Sequence, residues 1–356
     1  MRYVDDGHEE TEAILKQIEK DITKEYRKAE KEIQAKLDDY LEKFKKKDEL
    51  KRKALKAGEI TQSEYNKWRT GQIMIGKRWE EMRDTIAEDL TNADQIARSI
   101  AFGYTPDVYA INHNYGTFQV EKASLLDTSY TLYDRQTVER LYLDKNGRFV
   151  PKPGRVLQAK INAGKVKAWN MKNVQSVMMQ GIMQGESVGQ IATRLSKAVG
   201  ETNRKVAIRN ARTMITGIQN GGRIDSYDRA ISMGIEMQKQ WLATLDNRTR
   251  HWHRELDGVA VDNDKPFENE YGEIMYPGDP DADPANIYNC RCTLIASLKG
   301  FPLDMSVRRD KNLGDMTYKE WKESKESYSD PITKQDEIAE RMKRMYGAEY
   351  KRYSKL

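Results

Sequence analysis

The 356-residue chain contains two cysteines, Cys290 and Cys292, separated by one residue. A disulfide framework is excluded, and a reducing compartment is expected. There is no apolar run of the length a membrane span needs, and the opening MRYVDDGHEE has no feature of a signal peptide, so no membrane contact is expected. No G-x-x-x-x-G-K-[ST] loop occurs, which argues against an ATP motor. The glycines of GIMQGESVGQ lack the strand–loop–helix setting of a dinucleotide site. Apolar residues make up only 38% against 33% charged, a balance that suits long solvated helices better than a core-rich enzyme. The net charge of +5 is small for this length, so it permits contact with nucleic acid without demanding it.

What the chain does have is helical periodicity. Over residues 12–57, Ile14, Ile18, Ile22, Tyr26, Ala29, Ile33, Leu37, Leu41 and Phe44 recur at steps of three or four, with no Gly or Pro before Gly58. A single apolar stripe requires a neighbour. Thr61 and Glu64 form a capping box for a returning helix, and a further helix follows through WEEMRDTIAEDLTNADQIARSIA. Residues 1–101 are therefore predicted to be a long helical hairpin, with a coiled-coil partner chain as the alternative. Lys43, Lys45, Lys46, Lys47, Lys51, Arg52, Lys53 and Lys56 crowd the end of the first helix, either as a solvated face or as a contact for nucleic acid or an acidic protein.

Residues 102–168 are Tyr-rich, then basic, and read as a connecting region with short helices, in which His113 is expected to be exposed. Its arm of Arg148, Lys152, Arg155, Lys160, Lys165 and Lys167 has few acids nearby and is the better candidate for touching the phosphates of double-stranded DNA. From residue 169, Ser187 caps a helix carrying Val188, Ile191, Leu195 and Val199 on one face and stopping at Gly200, and a second helix follows. MQKQWLATLD and CTLIASL read as strands. The fold class is mainly α, with a small α+β C-terminal domain over 169–300 and a charged helical tail over 301–356.

The chemistry-bearing residues gather in DNRTRHWHRELDG, residues 246–258, and NCRC, residues 289–292. Read as one helix, the first stretch has Asp246 or Asn247 as N-cap and Gly258 past its end. Neighbouring helical positions lie about 100° apart, so His253 faces the core and His251 faces water. Cys290 and Cys292 share one side of a strand. That leaves His253, Cys290 and Cys292 as three metal ligands, with Asp246 or water as a fourth, whereas a closed zinc site takes four nitrogen or sulfur ligands. Two readings stay open: bound zinc, or a metal-free cluster of hydrogen bonds and packed thiols. No other cofactor is expected. Arg248, Arg250, Asp246 and Asp257 are expected to form an ion-pair net pinning this helix to the strands. A metal-dependent nuclease would need a second set of ligands that does not follow, and nothing marks either cysteine as a nucleophile.

This order of features, ARTM in a helix, then WLATLDNRTRHWHRELDG, then YPGDP, then NCRCTL, resembles the phage Mu F-like head morphogenesis family, the minor head proteins of tailed phages, over about 170–300. The family pattern falls on Asp246, Arg248, Arg250, His253, Leu256, Asp257, Gly258, Asn289, Cys290, Arg291 and Cys292, and on Ala211, Arg212, Thr213 and Met214. Met214 stands where the family often has Glu. Some relatives carry a C-x-x-C pair where this chain has Arg250 and His253, which removes two ligands of a full zinc site. The resemblance implies no catalysis. It implies a low-copy protein inside the virion head near the portal vertex, made in the host cytoplasm, whose partners are the portal protein, other head or scaffolding proteins and packaged DNA. Forms fused to ADP-ribosyltransferase toxins exist in the family, but nothing after residue 300 is long enough to be such a domain. A non-specific DNA-binding internal virion protein is the alternative function.

Overall fold

A computed structural model describes residues 5–74, 76–142, 163–184, 186–300, 308–309 and 315–327. The first helix, α1 (Asp6–Lys56), runs for 51 residues, about 75 Å at 1.5 Å per residue. It begins where the Asp5 carboxylate accepts the His8 amide at 2.9 Å, with Asp6 and Glu9 in the first turn and Lys53 and Lys56 in the last, both matched to the helix dipole. Its buried stripe, from Leu15 through Ile18, Ile22, Tyr26, Ile33 and Leu37 to Leu41, follows the expected spacing.

The chain then turns back through α2 (Gln62–Ile73), opened by the Thr61–Glu64 capping box, and α3 (Lys77–Gly103). The stripe of α1 is not covered by this return alone. Its main neighbour is α7 (Val188–Ser232), 45 residues long and also opened by a capping box, Ser187 with Gln190. Ile14 to Ala29 of α1 pack with Ala93, Ala97, Ile215 and Ile218, while Ile33 to Leu41 pack with Trp79, Ile86, Ile191 and Leu195. The chain thus covers its own stripe, which removes the need for a coiled-coil partner. Gly200 does not stop a helix: α7 runs through it, and the glycine marks a close approach to α1, since a Cβ there would lie 2.4 Å from the Glu30 side chain.

Between these helices α4 (Thr105–Ser124) is almost wholly buried, although the sequence reads it as a polar connection. Its amides and acids are satisfied by distant partners. Asn112 donates to Thr11 at 2.8 Å, Asn114 accepts from Tyr130 at 2.8 Å, and Glu121 accepts from the Trp321 indole at 2.6 Å. His113, expected to be exposed, is buried, with Nδ1 2.7 Å from the Tyr130 hydroxyl and its ring stacked on Tyr133. Polar side chains can fill a helix core when each finds its hydrogen bond.

β1 (Leu126–Asp127) and α5 (Arg135–Tyr142) follow, then α6 (Ala163–Met183), which packs on α3 and α7. After α7 comes a small antiparallel unit: β2 (Glu236–Leu242), the short α8 (His251–Glu255), β3 (Ala260–Asp262), β4 (Phe267–Asn269), β5 (Gly272–Ile274), α9 (Pro284–Ile287) and β6 (Thr293–Gly300). β2 is central in a three-stranded sheet between β3 and β6, in register at Gln240↔Ala260 and Trp241↔Leu294, and β4 pairs with β5. β7 (Arg308–Arg309) pairs with β1, and α10 (Tyr318–Ser327) lays Trp321 against Phe118 and Tyr130 of the α4 region. The molecule is mainly α with small sheets toward its C-terminal part, as expected from the sequence. Among the described residues no helix is long and apolar enough to cross a membrane.

Candidate functional site

β2 delivers Trp241 to the core at 0% exposure, and the chain leaving it folds back at once. The Trp241 amide donates to Val259 O at 2.9 Å and the Gly258 amide to Trp241 O at 2.8 Å. Gly258 has φ +78, a left-handed turn that favours glycine. The Asp257 carboxylate accepts the Ala243 amide at 2.8 Å, so segment 243–258 is closed at its base by backbone and carboxylate together.

The single helix expected over 246–258 is only His251–Glu255, and its N-cap is Arg250 rather than Asp246 or Asn247. Asp246 instead makes a turn: its carboxylate accepts the Arg248 amide at 2.9 Å and the Thr249 hydroxyl at 3.2 Å. Arg291 then donates to both oxygens of Asp246, at 2.6 and 2.7 Å, and these hydrogen bonds hold the Asp246 carboxyl well below the usual carboxylate range. The ion-pair net differs accordingly. Arg248 is largely exposed and reaches Asp246 only at 3.8 Å, Arg250 donates to the Tyr288 carbonyl, and Asp257 serves the backbone. The strong pair is Asp246–Arg291.

His253 faces inward and is 1% exposed, with its ring edge-on to Trp241 at 5.3 Å. His251 faces outward and pairs with Glu270 at 2.9 Å. Cys290 and Cys292, each 2% exposed, sit just before β6 with Sγ atoms 3.6 and 3.7 Å from His253 Nδ1. The three ligand atoms lie within 4.8 Å of one another and could hold a metal ion. The two thiols are pushed apart: the hydrogen bond to Cys292, with burial, raises the Cys290 thiol, while the same bond and His253 pull Cys292 down. Asn289, which precedes them, has φ +55, and its amide donates to Thr213 Oγ1 at 3.3 Å, linking NCRC to the ARTM stretch of α7.

One group of residues was missed by the sequence reading. Along one face of α7, Thr216 donates to Cys290 O at 2.9 Å and Gln219 to Thr293 Oγ1 at 2.9 Å. Asn220 donates to Pro277 O at 3.0 Å and accepts the Leu294 amide at 3.1 Å, and Arg223 donates to Leu294 O at 2.7 Å. These side chains grip the backbone on either side of the cysteines. The signal was a polar ridge at three- and four-residue steps in TGIQNGGR, broken by glycines where backbones meet. Gly217 is one of them: a Cβ on it would sit 2.7 Å from Gly278 O.

Of the basic arm, Arg148, Lys152, Arg155 and Lys160 lie outside the described residues. Lys165 is described only as backbone of α6, and Lys167 pairs with Glu88 at 3.3 Å.

This α+β unit and the helix ahead of it coincide with a family. Residues 172–295 match the family model described as Phage Mu protein F like protein, so the resemblance read from the motifs is borne out. Among individual proteins, the chain is 27% identical to the minor head protein GP7 of Bacillus phage SPP1, over 88% of this chain and 94% of that one. It is also 34% identical to the NAD(+)–arginine ADP-ribosyltransferase EFV of Enterococcus faecalis, over 45% of this chain but only 32% of that protein. No solved structure matches significantly.

Proposed function

We propose that the protein is a minor head protein of a tailed phage that docks on the portal inside the procapsid and assists head assembly and the packaging or ejection of DNA. The observation that carries this reading is the extent of the similarity to the SPP1 minor head protein, which takes in 88% of this chain and 94% of that protein and so reaches well beyond the Mu F-like region. The site supports a structural role. His253, Cys290 and Cys292 are buried behind Trp241 and the α7 side chains, where a substrate strand has no access, so a hydrolytic reading is disfavoured. The similarity to an ADP-ribosyltransferase covers a third of that enzyme and carries no activity to this chain.

The test is assembly. Co-expressed with the portal protein of the same phage, the chain co-elutes with the portal oligomer. In purified procapsids it resists added protease until the shell is opened. A chain that stays free of the portal and is digested on intact particles would sink the proposal. A plasmid-cleavage assay with and without divalent metal is expected to show no cleavage.

A second role in DNA contact is favoured by one observation: Lys43, Lys45, Lys46, Lys47, Lys51, Lys53 and Lys56 are all exposed along the last turns of α1. Binding to random-sequence duplex that falls steeply with salt supports it, and a flat response removes it.

A further inference from the structure

We propose that His253, Cys290 and Cys292 hold one zinc ion, which cross-links α8 to the start of β6. The three ligand atoms come from two segments 37 and 39 residues apart and lie within 4.8 Å of one another, close enough for one cation to reach all three. All three side chains are at most 2% exposed, so the site is screened from bulk solvent. Two thiolates and an imidazole are soft and borderline donors, which select zinc over magnesium or calcium.

The alternative occupants of this space are protons, and they fit it less well. Without a metal, two sulfurs and one ring nitrogen must share hydrogen bonds among themselves, and any thiolate–imidazolium pair is a buried ion pair with a desolvation cost. A divalent cation with two thiolates and a neutral imidazole leaves the ligand set uncharged. The surroundings suit sulfur anions: the backbone amide of Thr244 donates toward Cys292 and that of Cys292 toward Cys290, while Arg250 adds positive potential beside Cys290. Those amides are fixed by the backbone around β2 and β6, so the donors are in place before an ion arrives.

Three protein ligands leave a fourth position for water. Burial keeps substrates away from it, so the ion's role is to tie the fold together. The proposal concerns the site alone and stands whether or not the protein docks on a portal.

The experiment is elemental analysis of the full chain, purified without a histidine tag under reducing conditions. One zinc per chain is expected, absent from Cys292→Ser and His253→Gln and retained in Arg248→Ala, whose side chain points to solvent. Because the first two variants alter the fold's own packing, the wild type is also stripped with a chelator and refilled with Co2+. A thiolate-to-cobalt charge-transfer band that saturates at one equivalent, and a melting temperature that falls on stripping and recovers with zinc, are the expected results. Folded wild type that purifies without zinc and gives no such band overturns the proposal, as does full zinc content in Cys292→Ser.

Discussion

Asp5 and Arg223, 218 residues apart, meet in a two-pronged ion pair at 2.6 and 2.7 Å, with the guanidinium fully buried. Arg223 also donates to Asn112 of α4 at 3.1 Å and to Leu294 O of β6 at 2.7 Å. One side chain therefore joins the start of α1, α4, α7 and the sheet.

Removing one member of such a pair leaves the other charge buried and alone, at a cost of about 3–5 kcal/mol. Asp5→Ala is expected to lower the unfolding free energy by about that much, with some of the loss coming from the missing helix cap. Urea denaturation measures it, and a loss under about 1 kcal/mol would mean that the guanidinium is not desolvated.

The contact between Gly217 and Gly278 is backbone on backbone. A Cβ on Gly278 would lie 2.6 Å from Gly217 N, at a residue whose φ of +81 already disfavours a side chain. Gly217→Ala is expected to cost about 1–3 kcal/mol through overpacking, and Gly278→Ala more, since strain adds to the clash. Thermal unfolding of the two variants ranks them, and the reverse order would refute this account.

The Asp246–Arg291 pair makes part of the stability depend on acid. The carboxyl is depressed in the folded protein relative to its ordinary 3.8. Its contribution is therefore complete above that value and lost as the pH falls below it toward the folded value. Asp246→Asn is expected to melt lower than wild type at neutral pH and to show a shallower decline in acid. Parallel pH slopes for the two proteins would remove the pair as the cause.

At the far end of α1, burial and the hydrogen bond to Asp48 push Tyr65 up to about 12. The neutral phenol is the form the fold favours, so this contribution holds below the ordinary value of 10.0 and fades as the pH rises through about 12. Absorbance titration should show a tyrosinate contribution in that range that is missing in Tyr65→Phe. A wild type and variant that titrate alike between 10 and 12 would contradict it.

The parts of this fold that could be read from sequence are those with local rules. The stripe of α1 repeats over many turns, and the Thr61–Glu64 capping box and the Ser187 cap involve residues within four positions of one another. His251 and His253 fall on outer and inner positions because residues two apart on a helix diverge by about 200°. What failed depended on distant partners. Asn112 and Asn114 look like loop residues until Thr11 and Tyr130 are seen beside them. Asp246 looks like a helix cap until Arg291, 45 residues later, takes both its oxygens. Gly200 signals a stop only when Glu30 is ignored.

The unbroken length of α1 gives the molecule a mechanical property. The helix is clamped at its start, through Asp5 and Arg223, to the strand that follows the cysteines, and its other end bears the lysine-rich tip. A rod roughly 75 Å long acts as a lever arm, so a tilt of a few degrees at the sheet sweeps the tip through several ångströms.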